Sequence, residues 1–225
     1  MNISIFEVLG PIMIGPSSSH TAGAERLARM ARLIAAKPFS HVSFGLHGSF
    51  AKTYKGHGTD KALVGGVLGL WEDDERLRCS LEIAQERGLG YDFYEADLGD
   101  MHENSVAITF TLADGGKREI IGSSIGGGQI IIRRIDGFEM ELSLNAPTLI
   151  IFQNDKKGVV SDVAKKLAEN DLNIGVMKIS RNAKGDIACC IIEVDNDIPL
   201  SIVDDISKLP NIRSVQAVNI FAREV

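Results

Sequence analysis

Between residues 20 and 36 the apolar side chains Leu27, Met30, Ala31 and Ile34 recur at the i, i+3, i+4, i+7 spacing of one helix face, with Arg26, Arg29 and Arg32 mostly off it. Lys37-Pro38 is predicted to stop that helix. The period then drops to two. His41-Val42-Ser43-Phe44-Gly45-Leu46-His47 alternates as a half-buried strand does, which sets His41 and His47 opposite Val42, Phe44 and Leu46; both histidines are read as structural. The stretch 48–70 is Gly-rich early and helical later, and a further helix is predicted from about Asp74 to Arg87, ended by Gly88. Val106, Ile108, Phe110 and Leu112 alternate with Ser105, Ala107, Thr109 and Thr111, and Asp114-Gly115 turns the chain into a partner strand over 117–125. Gly126-Gly127-Gly128 then interrupts a β-rich region ahead of Ile130-Ile131-Ile132; three glycines suit a sharp turn or the close approach of a ligand or partner backbone, and the turn is the simpler reading.

From Ala146 the pattern changes. An apolar strand, Leu149-Ile150-Ile151-Phe152, precedes a polar loop over 153–158, and a helix then carries Val160, Val163, Ala164 and Leu167 on one face. Strands are predicted around 174–180 and 187–194, joined through Asn182-Ala183-Lys184-Gly185; Pro199 opens a helix with Ile202, Val203 and Ile206 inward, and Val215 to Phe221 forms the last strand. The order βαββαβ is the ferredoxin-like arrangement, a four-stranded antiparallel sheet with two helices on one face. The chain is therefore read as α+β, with one domain over 1–145 and a second over 146–225, joined near Ser143-Leu144-Asn145-Ala146-Pro147.

A length of 225 residues fits two ordinary domains. The net charge of −6 is spread over mixed signs with no Lys/Arg block, which argues against nucleic acid or an anionic membrane as partner and leaves a small neutral or zwitterionic ligand open. The first residues, Met1-Asn2-Ile3-Ser4-Ile5-Phe6-Glu7, lack a basic region and a long apolar stretch, and nowhere do 18 consecutive apolar residues occur, so a cytoplasmic protein is expected. Cys79, Cys189 and Cys190 are odd in number and include neither a C-x-x-C pair nor cluster spacing, so neither a disulfide framework nor an iron–sulfur cluster is expected on this chain alone.

The chemistry concentrates before the first helix, where Gly15-Pro16-Ser17-Ser18-Ser19-His20-Thr21 runs into Ala22-Gly23-Ala24-Glu25. Helix starts expose unpaired N–H groups and a partial positive charge, and hydroxyls with an imidazole add directed hydrogen bonds to a carboxylate or phosphate. Capping alone would use one hydroxyl.

The stretch from Gly10 to Gly23 resembles the opening signature of iron–sulfur-dependent L-serine dehydratases, specifically the β subunit of the two-chain form. Gly48-Ser49-Phe50-Ala51-Lys52-Thr53-Tyr54-Lys55-Gly56-His57-Gly58-Thr59-Asp60 and Ser124-Ile125-Gly126-Gly127-Gly128 resemble two further family segments. The C-terminal unit is similar to an ACT domain, and the first domain resembles the allosteric substrate-binding domain of some phosphoglycerate dehydrogenases. Two positions depart from the pattern: Asp155-Lys156-Lys157-Gly158 keeps the glycine of an ACT loop without its proline, and His102-Glu103-Asn104 stands where the family has histidine-proline-asparagine.

The resemblance implies β-elimination of L-serine to pyruvate and ammonia, by an L-serine ammonia-lyase active only with an α subunit that carries a [4Fe–4S] cluster. A Lewis-acidic metal assists the poor hydroxide leaving group, and a placed base removes the α-proton. It assigns the catalytic region to Ser17, Ser18, Ser19, His20, Thr21 and His57, with His20 as first choice for proton transfer because imidazole titrates near neutral pH. Substrate or partner contact is expected at Gly56, Thr59, Asp60, His102, Asn104, Gly126, Gly127 and Gly128. For His57 a structural role stands open beside a substrate contact, and Thr59 and Asp60 suit a helix cap. Asn154, Asp155, Gly158 and Val159 form the regulatory-ligand loop, the ACT unit is the expected contact between copies of the chain, and no metal ligand is assigned here. The alternative is a non-enzymatic amino-acid sensor, in which the ACT unit binds the ligand and the first domain transmits the change.

Overall fold

The structure, a computed structural model, describes residues 11–220, so Gly10, the first seven residues read above and Phe221 lie outside the described part. The chain divides into two compact units, the first ending at Ser143 and the second starting at Leu144.

In the first unit a single π-helical turn, Ser18–Ala22, runs directly into helix α1 (Gly23–Ala35). Then follow β1 (Phe39–Leu46), α2 (Gly48–Thr53), α3 (Thr59–Val67), a 3₁₀ turn (Glu75–Cys79), α4 (Ser80–Glu86) and strands β2 (Gly90–Glu95), β3 (Ser105–Leu112), β4 (Lys117–Gly126), β5 (Gln129–Ile135) and β6 (Phe138–Leu142). The sheet order is β2-β1-β3-β4-β5-β6, antiparallel except for the parallel β1–β2 pair. The expected apolar stripe of α1 is the buried one, with Leu27, Met30, Ala31 and Ile34 at most 1 % exposed, packed over β4 and β5 and against α3. Val42, Phe44 and Leu46 of β1 and Val106, Ile108 and Phe110 of β3 complete the core. Truncating Phe44 or Phe110, both fully buried, would cost about 3–5 kcal/mol.

The second unit contains β7 (Thr148–Asn154), α5 (Val159–Ala168), β8 (Ile174–Arg181), β9 (Ile187–Val194), α6 (Leu200–Ser207) and β10 (Ile212–Val218), with fully antiparallel sheet order β10-β7-β9-β8. This is the expected βαββαβ arrangement. Its core joins Leu149, Ile151, Cys190 and Ile192 of the sheet to Val163 and Leu167 of α5 and Ile202 and Ile206 of α6.

Several expectations need correction. Residues 48–53 are already helical rather than a Gly-rich lead-in, and the helix expected from Asp74 divides into a 3₁₀ turn and α4. Strands β2 and β6 had no counterpart in the sequence reading. The last strand begins at Ile212 and ends at Val218, not at Val215 and Phe221. Helix α1 is closed by Ala36 in the left-handed conformation, one residue before Lys37-Pro38. Arg29 is buried rather than off the packed face: its guanidinium lies 3.8 Å over the Trp71 ring and donates to Glu25 Oε1 at 2.7 Å.

Candidate functional site

The Ser17–Thr21 segment is shaped by its own hydroxyls. Ser17 is extended and caps the helical turn, its Oγ accepting from the His20 N–H at 3.1 Å. The N–H groups of Thr21 and Ala22 both reach the Ser17 carbonyl, at 2.9 and 3.4 Å, and the Gly23 N–H reaches Ser18, which is the wide π geometry that inserts one residue into a helix. Glycine is required at position 23 because a Cβ there would sit 2.0 Å from Ser124 Oγ on β4. Upstream, Ile14 N–H donates to the Glu72 carbonyl at 2.7 Å and anchors the approach to the turn.

The π turn carries His20 to the start of α2 and the loop before α3. His20 Nε2 lies 3.0 Å from Ser49 Oγ, and Nδ1 lies 3.5 Å from Ser17 Oγ. The ring packs edge-on to Phe50 with centroids 5.3 Å apart, and its centroid is 4.8 Å from that of His57, tilted by 33°. Burial, and then the His57 ring beside it, lower the His20 pKa below the ordinary imidazole value, so the neutral base is favoured. Thr21 Oγ1 donates to the His57 carbonyl at 3.1 Å and ties the two loops together. Ser17, Ser18, Ser19, His20 and His57 are each half-buried, reachable from outside the chain.

Beside this cluster lies a cavity of about 400 Å³ whose lining includes Thr21, Lys55, Gly56, His57, Asp60 and Lys61. Ser17, Ser18, Ser19 and His20 are not part of that lining; the His20 ring adjoins it through the His57 ring, 4.8 Å away. The expected capping of α3 by Thr59 and Asp60 is not what the structure has. Gly58, at φ +68°, takes the cap position without a side-chain bond, Asp60 Oδ1 accepts from Lys61 N–H, and Thr59 Oγ1 is buried without a hydrogen-bond partner.

The remaining candidates lie apart from the histidine pair. His102 is exposed, accepts from Asn104 N–H through Nδ1 and borders a different cavity of about 380 Å³ with Arg133, Arg134 and Glu139. Asn104 accepts from Ser124 N–H through its carbonyl. Gly126, Gly127 and Gly128 form the tight β4–β5 turn, all at positive φ, and the Gly128 carbonyl accepts from Arg26 at 3.4 Å. In the second unit Gly158, at φ +94°, leads into α5 with Val159 buried behind it. Asn154 Oδ1 accepts from Arg213 at 2.7 Å, and Asp155 Oδ2 accepts from Gly185 N–H at 2.9 Å and Arg181 at 3.0 Å. Those two donors, the Gly185 N–H first, hold the Asp155 carboxyl below the usual carboxylate range.

Ser49, Lys55 and Lys61 were not singled out from the sequence. Ser49 follows a strand end without any cap pattern, and its partner His20 lies 29 residues away. Lys55 stands within the Gly48–Asp60 segment and Lys61 directly after it, but nothing in that spacing marks either as facing a ligand; the cavity brings them together. A second omission is the buried Glu25–Arg29 pair with the half-buried Glu72 beside it, in which burial, outweighing the Arg29 guanidinium, raises the Glu25 pKa to about 8.

A cluster does not fit the described residues. Among the described residues no group of three or more His, Cys, Asp or Glu side chains could hold a metal ion. Cys190 is buried and its thiol is pushed up to about 11, away from the thiolate that ligation needs, and Cys79 donates to the Arg76 carbonyl.

The model of the family described as serine dehydratase beta chain matches residues 4–86. The chain is 44% identical over 212 residues to a protein named "Probable L-serine dehydratase, beta chain" of Bacillus subtilis (strain 168), covering 94% of this chain and 96% of that one. It is also similar to the D-3-phosphoglycerate dehydrogenase of the same organism, at 25% identity over 185 residues that span 82% of this chain and 35% of that enzyme. Among solved structures, the ACT domain from GTP pyrophosphokinase of Chlorobium tepidum aligns with 32% of this chain and 95% of its own, at 20% identity and a TM-score of 0.28.

Proposed function

The chain belongs to the serine dehydratase beta chain family, and from that premise we propose that it is the β subunit of a cytoplasmic L-serine ammonia-lyase, working with an α subunit that holds a [4Fe–4S] cluster. The observation that carries this reading is the His20–His57 pair, at 4.8 Å, set beside a cavity bearing Lys55 and Lys61. The two ammonium groups suit the carboxylate of an amino acid, and holding the substrate there converts an encounter into a positioned reaction. His57 and Thr21 line the cavity, and a substrate whose carboxylate is held there reaches with its α-carbon to the adjoining Ser17–Ser19 turn, where the neutral, half-buried His20 is the base for the α-proton.

The balance of the reaction is simple. The Cα–H electrons form the Cα–Cβ double bond as the Cβ–O bond breaks, hydroxide leaves and takes up a proton as water, and the aminoacrylate hydrolyses to pyruvate and ammonia. No step on this chain's own residues requires a metal ligand from it. The metal comes with the partner.

Pyruvate release from L-serine tests the reading, measured anaerobically for this chain, for the cluster-bearing partner and for their mixture. Activity confined to the mixture is the expected result. An intact, cluster-loaded complex that makes no pyruvate overturns it, and tight L-serine binding by the isolated chain in calorimetry would instead favour an amino-acid sensor.

A further inference from the structure

A neutral imidazole carries one proton, and the two nitrogens of His20 are not equally placed to keep it. Nε2 lies 3.0 Å from Ser49 Oγ, within ordinary hydrogen-bond range. Nδ1 lies 3.5 Å from Ser17 Oγ, beyond that range, and this oxygen already accepts from the His20 N–H at 3.1 Å. Ser49 is itself firmly seated: the next residue, Phe50, is fully buried, Phe50 N–H donates to the carbonyls of His47 and Glu103, and Thr53 Oγ1 donates to the Ser49 carbonyl at 2.8 Å. The Phe50 edge and the His57 ring flank the imidazole and restrain its rotation.

We propose that Ser49 is a positioning residue that accepts a hydrogen bond from His20 Nε2–H, fixes that tautomer and leaves Nδ1 as the basic nitrogen facing the Ser17–Ser19 turn. The inference rests on the reading of His20 as the base. In the reaction the α-proton passes from Cα to Nδ1, while the Nε2–H bond to Ser49 stays in place and steadies the imidazolium that forms. No bond of Ser49 is made or broken.

The tautomer is read directly by ¹⁵N–¹H correlation of the imidazole nitrogens in the full-length chain near pH 8, with His20 assigned by comparison with His20→Ala. The expected signature is protonated Nε2 and bare Nδ1; Ser49→Ala shifts it toward a mixture, and Ser49→Thr retains it. In the complex with the partner, Ser49→Ala lowers kcat about tenfold or more with little change in KM, and Ser49→Thr recovers most of the rate. The acid limb of the pH profile moves to lower pH in Ser49→Ala, because the imidazolium loses an acceptor. Protonated Nδ1 in the wild-type chain overturns the proposal, as does a Ser49→Ala complex with unchanged kcat when His20→Ala is inactive. Full turnover by His20→Ala instead overturns the reading of His20 as the base, whatever Ser49 does.

Discussion

The two units of this chain each place a polar loop in front of a helix, and the loops differ in how much of their polar chemistry the fold consumes. Around Asn154–Gly158 the side chains are spent within the unit: Asn154 binds Arg213, and Asp155 binds Arg181 and the Gly185 N–H. In the Ser17–Thr21 and Gly56–Asp60 loops Ser17, Thr21 and Asp60 are likewise spent, on the His20 N–H, the His57 carbonyl and the Lys61 N–H, but the two imidazoles stay half-buried and His57 opens on a cavity of about 400 Å³. Counting polar residues does not separate a binding loop from a self-satisfied one. What separates them is whether donors and acceptors have been consumed by the fold.

The sharpest way to break that contrast is to remove a group from the open loop. His20→Ala should lower the pyruvate-forming kcat of the complex by about 10²–10⁴-fold, the range of a lost general base. Gly23→Ala comes next, because its new Cβ would sit 2.0 Å from Ser124 Oγ beneath the π turn. A loss of about 1–3 kcal/mol in denaturant unfolding is expected, largely recovered when Ser124→Gly is added.

A subtler effect should appear at Glu25, whose pKa is raised to about 8 from an ordinary 4.5. The folded state therefore binds more protons than the unfolded chain between those values, so stability falls as pH rises through that window. Glu25→Gln, uncharged throughout, should gain on the wild type by roughly 1 kcal/mol per pH unit across it, measured by urea unfolding at pH 5, 6, 7 and 8. The smallest effect belongs to the closed loop. Asp155→Ala removes an exposed tie at the β8–β9 turn, and the melting midpoint of the full chain should barely move.

Much of this fold was legible because its periodicities are local. The α1 stripe Leu27, Met30, Ala31 and Ile34 lies against the sheet as the spacing predicted, and β9 spans the predicted 187–194. Strand β2 escaped notice because Gly90-Tyr91-Asp92-Phe93-Tyr94-Glu95 has no clean alternation: it is an edge strand, held by pairing with β1 alone. Arg29 is not legible as a buried residue because a charge on a helix face normally points to water, and Glu25 on its own helix with the distant Trp71 and Glu72 make its burial tolerable. In the site, the hydroxyl-rich turn announced itself by composition. The Ser49–His20 contact and the lysines of the cavity are products of tertiary folding, and no spacing rule reaches them.

The central claim is that this chain supplies the base which takes the α-proton of the substrate. Its most direct measurement is the release of deuterium from L-serine labelled at Cα, followed in the first turnover of the anaerobic complex and compared between wild type and His20→Ala. Rapid release by the wild type and near-complete loss in His20→Ala is the predicted result; release at the wild-type rate by His20→Ala contradicts it.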